Sequence, residues 1–258
     1  MLLSYHSVYK FTRPGVSVLS PNNYSTRINK WLSEMGVCSR KQADQFIAEH
    51  RVQINGEPAH FGQKVFKDDL VEVDNQVIKS RPKPIFLLYH KPVGVVCTHD
   101  LSVKNNIEQA VNYPQRVFAV GRLDKDSEGL MLLTNQGDSV NKIMRAENKH
   151  QKVYKVWVDK TLTESFKDSM ESGVAILDTV TLPCEVELLD EMCFQITLTQ
   201  GLNLQIRRMC KVLGYRVLRL QRIQIMNFTL GQLTEGDTCL LSEEETYKLL
   251  VKLDIATD

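Results

Sequence analysis

The sequence predicts an α+β protein built of two unequal domains, and three observations carry that reading. Residues 27–78 place two short amphipathic helices ahead of several short strands. The stretch Ser80-Arg81-Pro82-Lys83-Pro84 then interrupts every helical or strand pattern, because paired prolines favour an extended linker. Beyond Pro84, apolar runs of strand length alternate with helical stripes. A chain of 258 residues has room for a small and a larger domain. Its 43% apolar and 24% charged residues are those of an ordinary globular chain. The net charge of +1 is uninformative until its distribution is examined.

Residues 1–23 contain Lys10 and Arg13, several serines and no acid, a composition shared with mitochondrial transit peptides. No amphipathic stripe precedes Pro14 and Gly15, so the expectation is a flexible, dispensable arm and a cytoplasmic location. The first domain is expected at 24–80. Ile28, Trp31, Leu32 and Met35 form one helical stripe closed by Gly36. Ser39 and Gln42 make a capping box for a second helix that buries Ala43, Phe46 and Ile47. Val52–Glu57 reads as a strand entering an Asn55-Gly56 turn. A further pair, Leu70–Val73 and Val77-Ile78, flanks Asp74-Asn75.

After a linker at 81–84, the second domain is expected to span 85–258. Ile85–Tyr89 reads as a central strand and His90–Gly94 as a turn. Phe118–Val120 and Leu130–Leu133 are two buried strand segments around a loop in which Gly121 and Gly129 bracket three acids and two bases. A helix is expected over Asp138–Arg145, a strand over Lys152–Val158, and a helix from the cap Thr163 to Ser172. Phe194–Thr199 follows as a strand. Ile206, Met209, Cys210 and Leu213 then form a helical stripe ended by Gly214, with Arg208 and Lys211 off it. Ser242 and Glu245 cap a last helix.

The six cysteines show neither a Cys-x-x-Cys pair nor a Cys/His cluster, which argues against a zinc site or a disulfide framework and for a reducing compartment. No apolar run reaches bilayer-spanning length, so no membrane partner is expected. Charge is unevenly spread. No acid lies between Glu191 and Glu235, while Arg207, Arg208, Lys211, Arg216, Arg219 and Arg222 accumulate there. An unrelieved cationic helix and strand is an electrostatic footprint for nucleic acid. Physical reading of the sequence ends at a two-domain RNA binder.

The motifs go further. Gly-Arg-Leu-Asp followed by Asp-Ser-x-Gly-Leu-x-x-x-Thr-Asn-x-Gly, at 121–137, resembles the active-site motif of pseudouridine synthases, in particular the ribosomal RNA branch of RsuA type. Lys91-Pro92-x-Gly94 resembles the first motif of that superfamily, one that carries structure more than chemistry. Lys152-x-Tyr154-x-Val156 and Gln205-Ile206-Arg207-Arg208-Met209 are similar to two later ones. Arg27-x-x-Lys30-x-Leu32, Gly36-x-Cys38-Ser39-Arg40-Lys41-x-Ala43 and Val52-x-Ile54-Asn55-Gly56 resemble the S4-like RNA-binding domain.

The resemblance implies a small S4-like domain followed by a catalytic domain on a mixed, mostly antiparallel sheet, with Asp124 at its central cleft. It makes Asp124 catalytic, Tyr154 the residue stacking on the flipped base, and Arg207 the ion-pair partner of Asp124. Asp124 beyond hydrogen-bonding distance of any arginine would count against that assignment. Arg122 would fill the gap left in the RNA stack; Arg208 and Lys211, with Lys30, Arg40 and Lys41 of the first domain, would meet phosphate. No metal or other cofactor is implied. The expected partner is ribosomal RNA of the large subunit, with transfer RNA a second candidate, and the expected state is a monomer. One departure stands out: relatives have an arginine where this chain has Leu204, which puts local RNA contact or target choice in question. Two rival readings remain at this point, a non-catalytic ribosome-assembly factor and a nucleoside hydrolase. The second would want an opposed second carboxylate, and Asp126 is turned elsewhere by its loop position.

Overall fold

The computed structural model describes residues 25–100, 102–145 and 149–255. The expected arm at 1–23, and Tyr24 at the expected start of the first domain, lie outside them. The described residues divide into two compact units, one made of Ser39–Lys79 with the described residues up to Leu32, the other of Ser33–Cys38 with the described residues from Ser80 onward.

The smaller unit begins with β1 (Thr26–Arg27) and α1 (Ile28–Glu34) as far as Leu32, followed by α2 (Arg40–Ala48), β2 (Val52–Ile54), β3 (Glu57–Pro58), β4 (Lys64–Val65), β5 (Val71–Val73) and β6 (Gln76–Val77). The Ser39–Gln42 capping box forms in both directions at the start of α2. Ile28, Leu32, Ala43 and Ile47 are buried, whereas Phe46 is only half-buried. Its ring lies 4.0 Å under the Arg51 guanidinium, which in turn holds Asp74 and Glu49. Both expected hairpins are present: Asn55 and Gly56, like Asp74 and Asn75, have positive φ at both turn positions. β2 and β5 pair at the centre of a four-stranded antiparallel sheet.

The larger unit contains β7 (Phe86–Lys91), α3 (Ile107–Val111), β8 (Phe118–Val120), β9 (Glu128–Thr134), α4 (Gly137–Met144), β10 (Lys152–Val158) and α5 (Glu164–Ser172). It continues with β11 (Ala175–Ile176), β12 (Thr179–Val180), β13 (Glu185–Asp190), β14 (Cys193–Leu198), α6 (Gln205–Val212), β15 (Val217–Ile225), β16 (Phe228–Thr229), β17 (Thr238–Leu240) and α7 (Glu243–Lys252). Its main sheet runs β13-β14-β10-β15-β9-β7-β17, with β8 beside β9 and β16 beside β15. Every pairing is antiparallel except β9 with β15. This is the mixed, mostly antiparallel sheet expected.

β9 is the axis of the larger unit, and all seven of its residues are buried. Leu130 and Leu132 face Phe86, Ile143 of α4 and Leu249 and Leu250 of α7. Met131 and Leu133 face Leu87, Tyr89 and Ile107 of α3. A separate core under α5 and α6 gathers Val156, Phe166, Met170, Phe194, Ile196, Ile206 and Met209. One edge of β9 is followed by β7 along its length, while the other is shared. β15 takes Glu128 and Gly129, then β8 takes Leu132 to Thr134.

One boundary differs from expectation. β7 continues through His90 and Lys91, which the sequence reading assigned to a turn. Both residues keep ladder register with Leu130 and Gly129, though His90 Nε2 is buried without a partner. His90 Nδ1 bonds the Leu233 carbonyl, and Lys91 is described below. Local polarity broke the apolar run without breaking the strand.

Candidate active site

The loop between β8 and β9 is fixed at both ends. Gly121 has φ +77°, and a Cβ there would stand 2.6 Å from Met144 of α4. Leu123 is buried in the core below. Ser127 N–H donates to the Asp124 carbonyl at 3.1 Å, closing a tight turn over Asp124–Ser127. Glu128 is buried at the first position of β9 and accepts two bonds from the Arg219 guanidinium, at 2.8 and 2.6 Å. That guanidinium also lies 4.5 Å from the Trp157 ring.

Lys91 holds the loop from beneath. Its side chain is completely buried, and its ammonium donates to the carbonyls of Ser127 at 2.7 Å and Pro92 at 2.8 Å, with Lys125 O at 3.5 Å. Burial pushes its pKa down, while the nearby carboxylates of Asp124, Asp126 and Glu128 act in the opposite direction. Gly94 N–H donates to the Lys125 carbonyl as well. The Lys-Pro-x-Gly stretch thus positions the Asp124 loop.

The loop overlooks a cleft of about 600 Å³. Arg122, Asp124 and Ser127 line its lip, Lys152, Tyr154, Leu198, Leu220 and Arg222 its floor, and Gln200–Arg207 a further wall. The floor is a sheet face: Lys152 and Tyr154 are two apart on β10, and Arg222 is the register partner of Tyr154 on β15. Gly129 permits this meeting, since at φ +109° any Cβ would stand 2.3 Å from the Arg222 carbonyl.

Asp124, Tyr154, Arg207 and Arg122 therefore converge on one cleft, but the expected Asp124–Arg207 pair is not among the ion pairs of the described residues. Arg207 Nη2 donates instead to the Asp126 carbonyl at 2.7 Å and to Ser127 Oγ at 3.3 Å. Those loop atoms take the guanidinium before it reaches the carboxylate. Its Nε is buried without a partner. Among the described residues the Asp124 carboxylate bonds no arginine at all, which counts against the site assignment as the motif implies it, and Arg207 is instead a clamp on the loop.

Other expected contacts also shift. Arg208 folds back onto its own loop, donating to the carbonyl and Oδ1 of Asn203. Leu204 starts α6 in the left-handed region at φ 51°, more than a third exposed on the cleft wall. That conformation costs a non-glycine residue about 1–2 kcal/mol. Lys211 is exposed on α6, as are Arg40 and Lys41 on α2, while Lys30 is half-buried on α1. The cationic run after Glu191 is not unrelieved: Arg216 meets Asp159, Arg219 meets Glu128, and Arg222 is buried. Acids distant in the chain thus offset two of the six cations. Lys91, Lys152 and Arg222 were missed as site residues; the spacing of Lys152 from Tyr154 already placed the two on one strand face. Among the described residues no group of three His, Cys, Asp or Glu is placed to hold a metal ion, and no helix is long and apolar enough to cross a membrane.

Comparison with known proteins decides the family. The RNA pseudouridylate synthase model matches residues 85–211, and the S4 domain model matches 26–71. Relatives from Salmonella typhi and Escherichia coli K12, each named dual-specificity RNA pseudouridine synthase RluF, are 47% identical over 227 residues, 87% of this chain and 78% of theirs. The chain belongs to the RNA pseudouridylate synthase family. A Bacillus subtilis member named ribosomal large subunit pseudouridine synthase B is 32% identical over 88% of this chain and 97% of its own. A crystal structure of a pseudouridylate synthase matches the fold with a TM-score of 0.63 at 28% identity, covering 86% of this chain and 99% of the other. As a pseudouridine synthase with an S4 domain, the chain is an RNA-modifying isomerase, and the assembly-factor and hydrolase readings fall away.

Proposed function

We propose that this synthase isomerises a uridine of large-subunit ribosomal RNA, with transfer RNA a second candidate substrate, and that Asp124 carries the chemistry. The supporting observation is the convergence of the Asp124 loop, Tyr154 and Arg207 on one cleft. The reaction breaks a C–N bond and makes a C–C bond at the same ribose carbon, so the base must leave its stack, detach, turn and reattach without escaping. Tyr154 stacks on the flipped uracil, a contact worth about 1–3 kcal/mol. Asp124 either attacks the ribose carbon or removes the C2′ proton. Arg207 and Lys91 keep the loop in place for either role. Arg122, exposed at the lip, fills the gap left in the RNA, and Lys211 with Lys30, Arg40 and Lys41 meets phosphate. The reading includes the domain limits 24–80 and 85–258, a monomer, and a cytoplasmic location resting on scattered thiols without disulfide spacing.

The test is Asp124→Asn, which keeps size and hydrogen bonding but removes the charge. Turnover on a large-subunit ribosomal RNA transcript should fall to background with RNA affinity little changed, because phosphate contacts dominate affinity. Full activity in the variant would sink the assignment.

A further inference from the structure

Two cations on the cleft floor are left unused by the roles given above. Lys152 and Arg222 are only 4% and 2% exposed, and both share the face of Tyr154. Arg222 Nε donates to the Leu130 carbonyl at 2.7 Å, but its Nη2 is buried without a partner. Lys152 Nζ reaches only the carbonyls of His150 and Thr199, at 3.2 and 3.3 Å. Neither meets a carboxylate among the described residues. Burial and the neighbouring Arg222 both push the Lys152 pKa down. Of the residues lining the cleft, Arg122, Lys152, Arg207 and Arg222 are cationic and only Asp124 is acidic. Buried cations without a counter-charge are unfavourable in the protein by itself. A site that keeps two of them side by side is complementary to an anion formed there.

Given Tyr154 as the stacking partner of the base, we infer that Lys152 and Arg222 stabilise the detached uracil as an anion. Heterolysis of the C1′–N1 bond leaves both electrons on N1, and the charge spreads to O2 and O4. The ribose carbon is taken by the Asp124 carboxylate, or C2′ gives its proton to that carboxylate. After the base turns, electrons at C5 form the C1′–C5 bond. The carboxylate is expelled, or its proton returns to C2′. The C5 proton then leaves and N1 takes one up, so no oxidant or reductant is needed. Charge appears on the base only during this passage, and preorganised cations in a dry site act on charge as it develops. A phosphate held there would carry its charge throughout, and the same side chains would then contribute to affinity instead of rate.

The test compares Lys152→Met and Arg222→Lys with the full-length parent in single-turnover glycosidic cleavage. Two transcripts of large-subunit ribosomal RNA are used, one with uridine and one with 5-fluorouridine, whose base is the better leaving anion. On the uridine transcript Lys152→Met should be slowed about 100- to 1,000-fold, as for loss of one preorganised donor. On the 5-fluorouridine transcript the deficit should shrink about tenfold or more, because a more acidic base needs less help to leave. RNA affinity should hold, and the melting temperature should stay level or rise, since a buried cation is replaced by an apolar chain of similar length. Equal deficits on both transcripts would overturn the inference, as would unchanged rates or a loss confined to affinity. If Arg222→Lys fails to fold, Lys152→Met carries the test. A parent protein inactive on both transcripts would overturn the ribosomal RNA reading on which the inference rests, and the inference with it.

Discussion

Replacing Lys91 by methionine separates what the Asp124 loop contributes to stability from what it contributes to rate. Methionine keeps most of the aliphatic volume of a completely buried side chain and removes only the ammonium. The carbonyls of Ser127 and Pro92 lose donors at 2.7 and 2.8 Å. Each buried carbonyl left unpaired costs about 1–3 kcal/mol. Against this, the variant no longer desolvates a charge whose pKa burial already pushes down. The two effects oppose each other, so the net stability loss should be about 0–3 kcal/mol, and the protein should fold. The rate has no such compensation. On the proposed role of Asp124, a loop freed to move by about 1 Å misplaces its carboxylate, a displacement that costs about 100-fold. Thermal melting and an RNA titration, run beside single-turnover pseudouridine formation, give all three quantities. Parent-like turnover in a folded Lys91→Met protein would refute the view that this lysine positions Asp124.

Two further outcomes follow from the same geometry. Gly129→Ala forces a Cβ to within 2.3 Å of the Arg222 backbone at φ +109°; overpacking of about 1–3 kcal/mol plus backbone strain of about 1–2 gives a loss of roughly 2–5 kcal/mol. A melting temperature within a degree or two of the parent would contradict that crossing. The Lys152 pKa is lower in the folded than in the unfolded chain, so its charge destabilises the fold below the folded pKa. That penalty is lost as pH rises through the folded value towards the ordinary lysine value. The melting advantage of Lys152→Met should therefore be largest near neutrality and narrow in alkali, and a gap that widens there would contradict the burial of an unpaired ammonium.

Much of the fold was legible because its signals are local. The Ser39 and Ser242 capping boxes, the Asn55-Gly56 and Asp74-Asn75 turns, and the apolar run of β9 each lie within a few residues of what they specify. The lip of the cleft was legible through its motif. What escaped depends on partners far along the chain. Arg219 is paired with Glu128, 91 residues away, and Arg216 with Asp159, 57 away, so two of the six cations in that stretch meet acids that local composition does not show. The motif resemblance paired Arg207 with the Asp124 carboxylate, and the guanidinium meets a carbonyl and a hydroxyl of the loop instead. Lys91 was hidden because a charged residue at a strand end looks like the start of a turn.

The one parallel strand pairing of the main sheet among the described residues, Glu128–Gly129 against Gln221–Arg222, has a consequence for how the enzyme comes into being. The segment between these partners contains three helices, α4, α5 and α6, with β10 and four further strands, all of which must be made before β15 can reach β9. On the proposed role of Asp124, a growing chain therefore carries that aspartate long before it has the floor of the cleft. Such long-range closure is slow relative to local folding. Lys91 precedes the loop it holds, whereas Arg207 and Arg219, which bind the same loop, come as late as the floor itself.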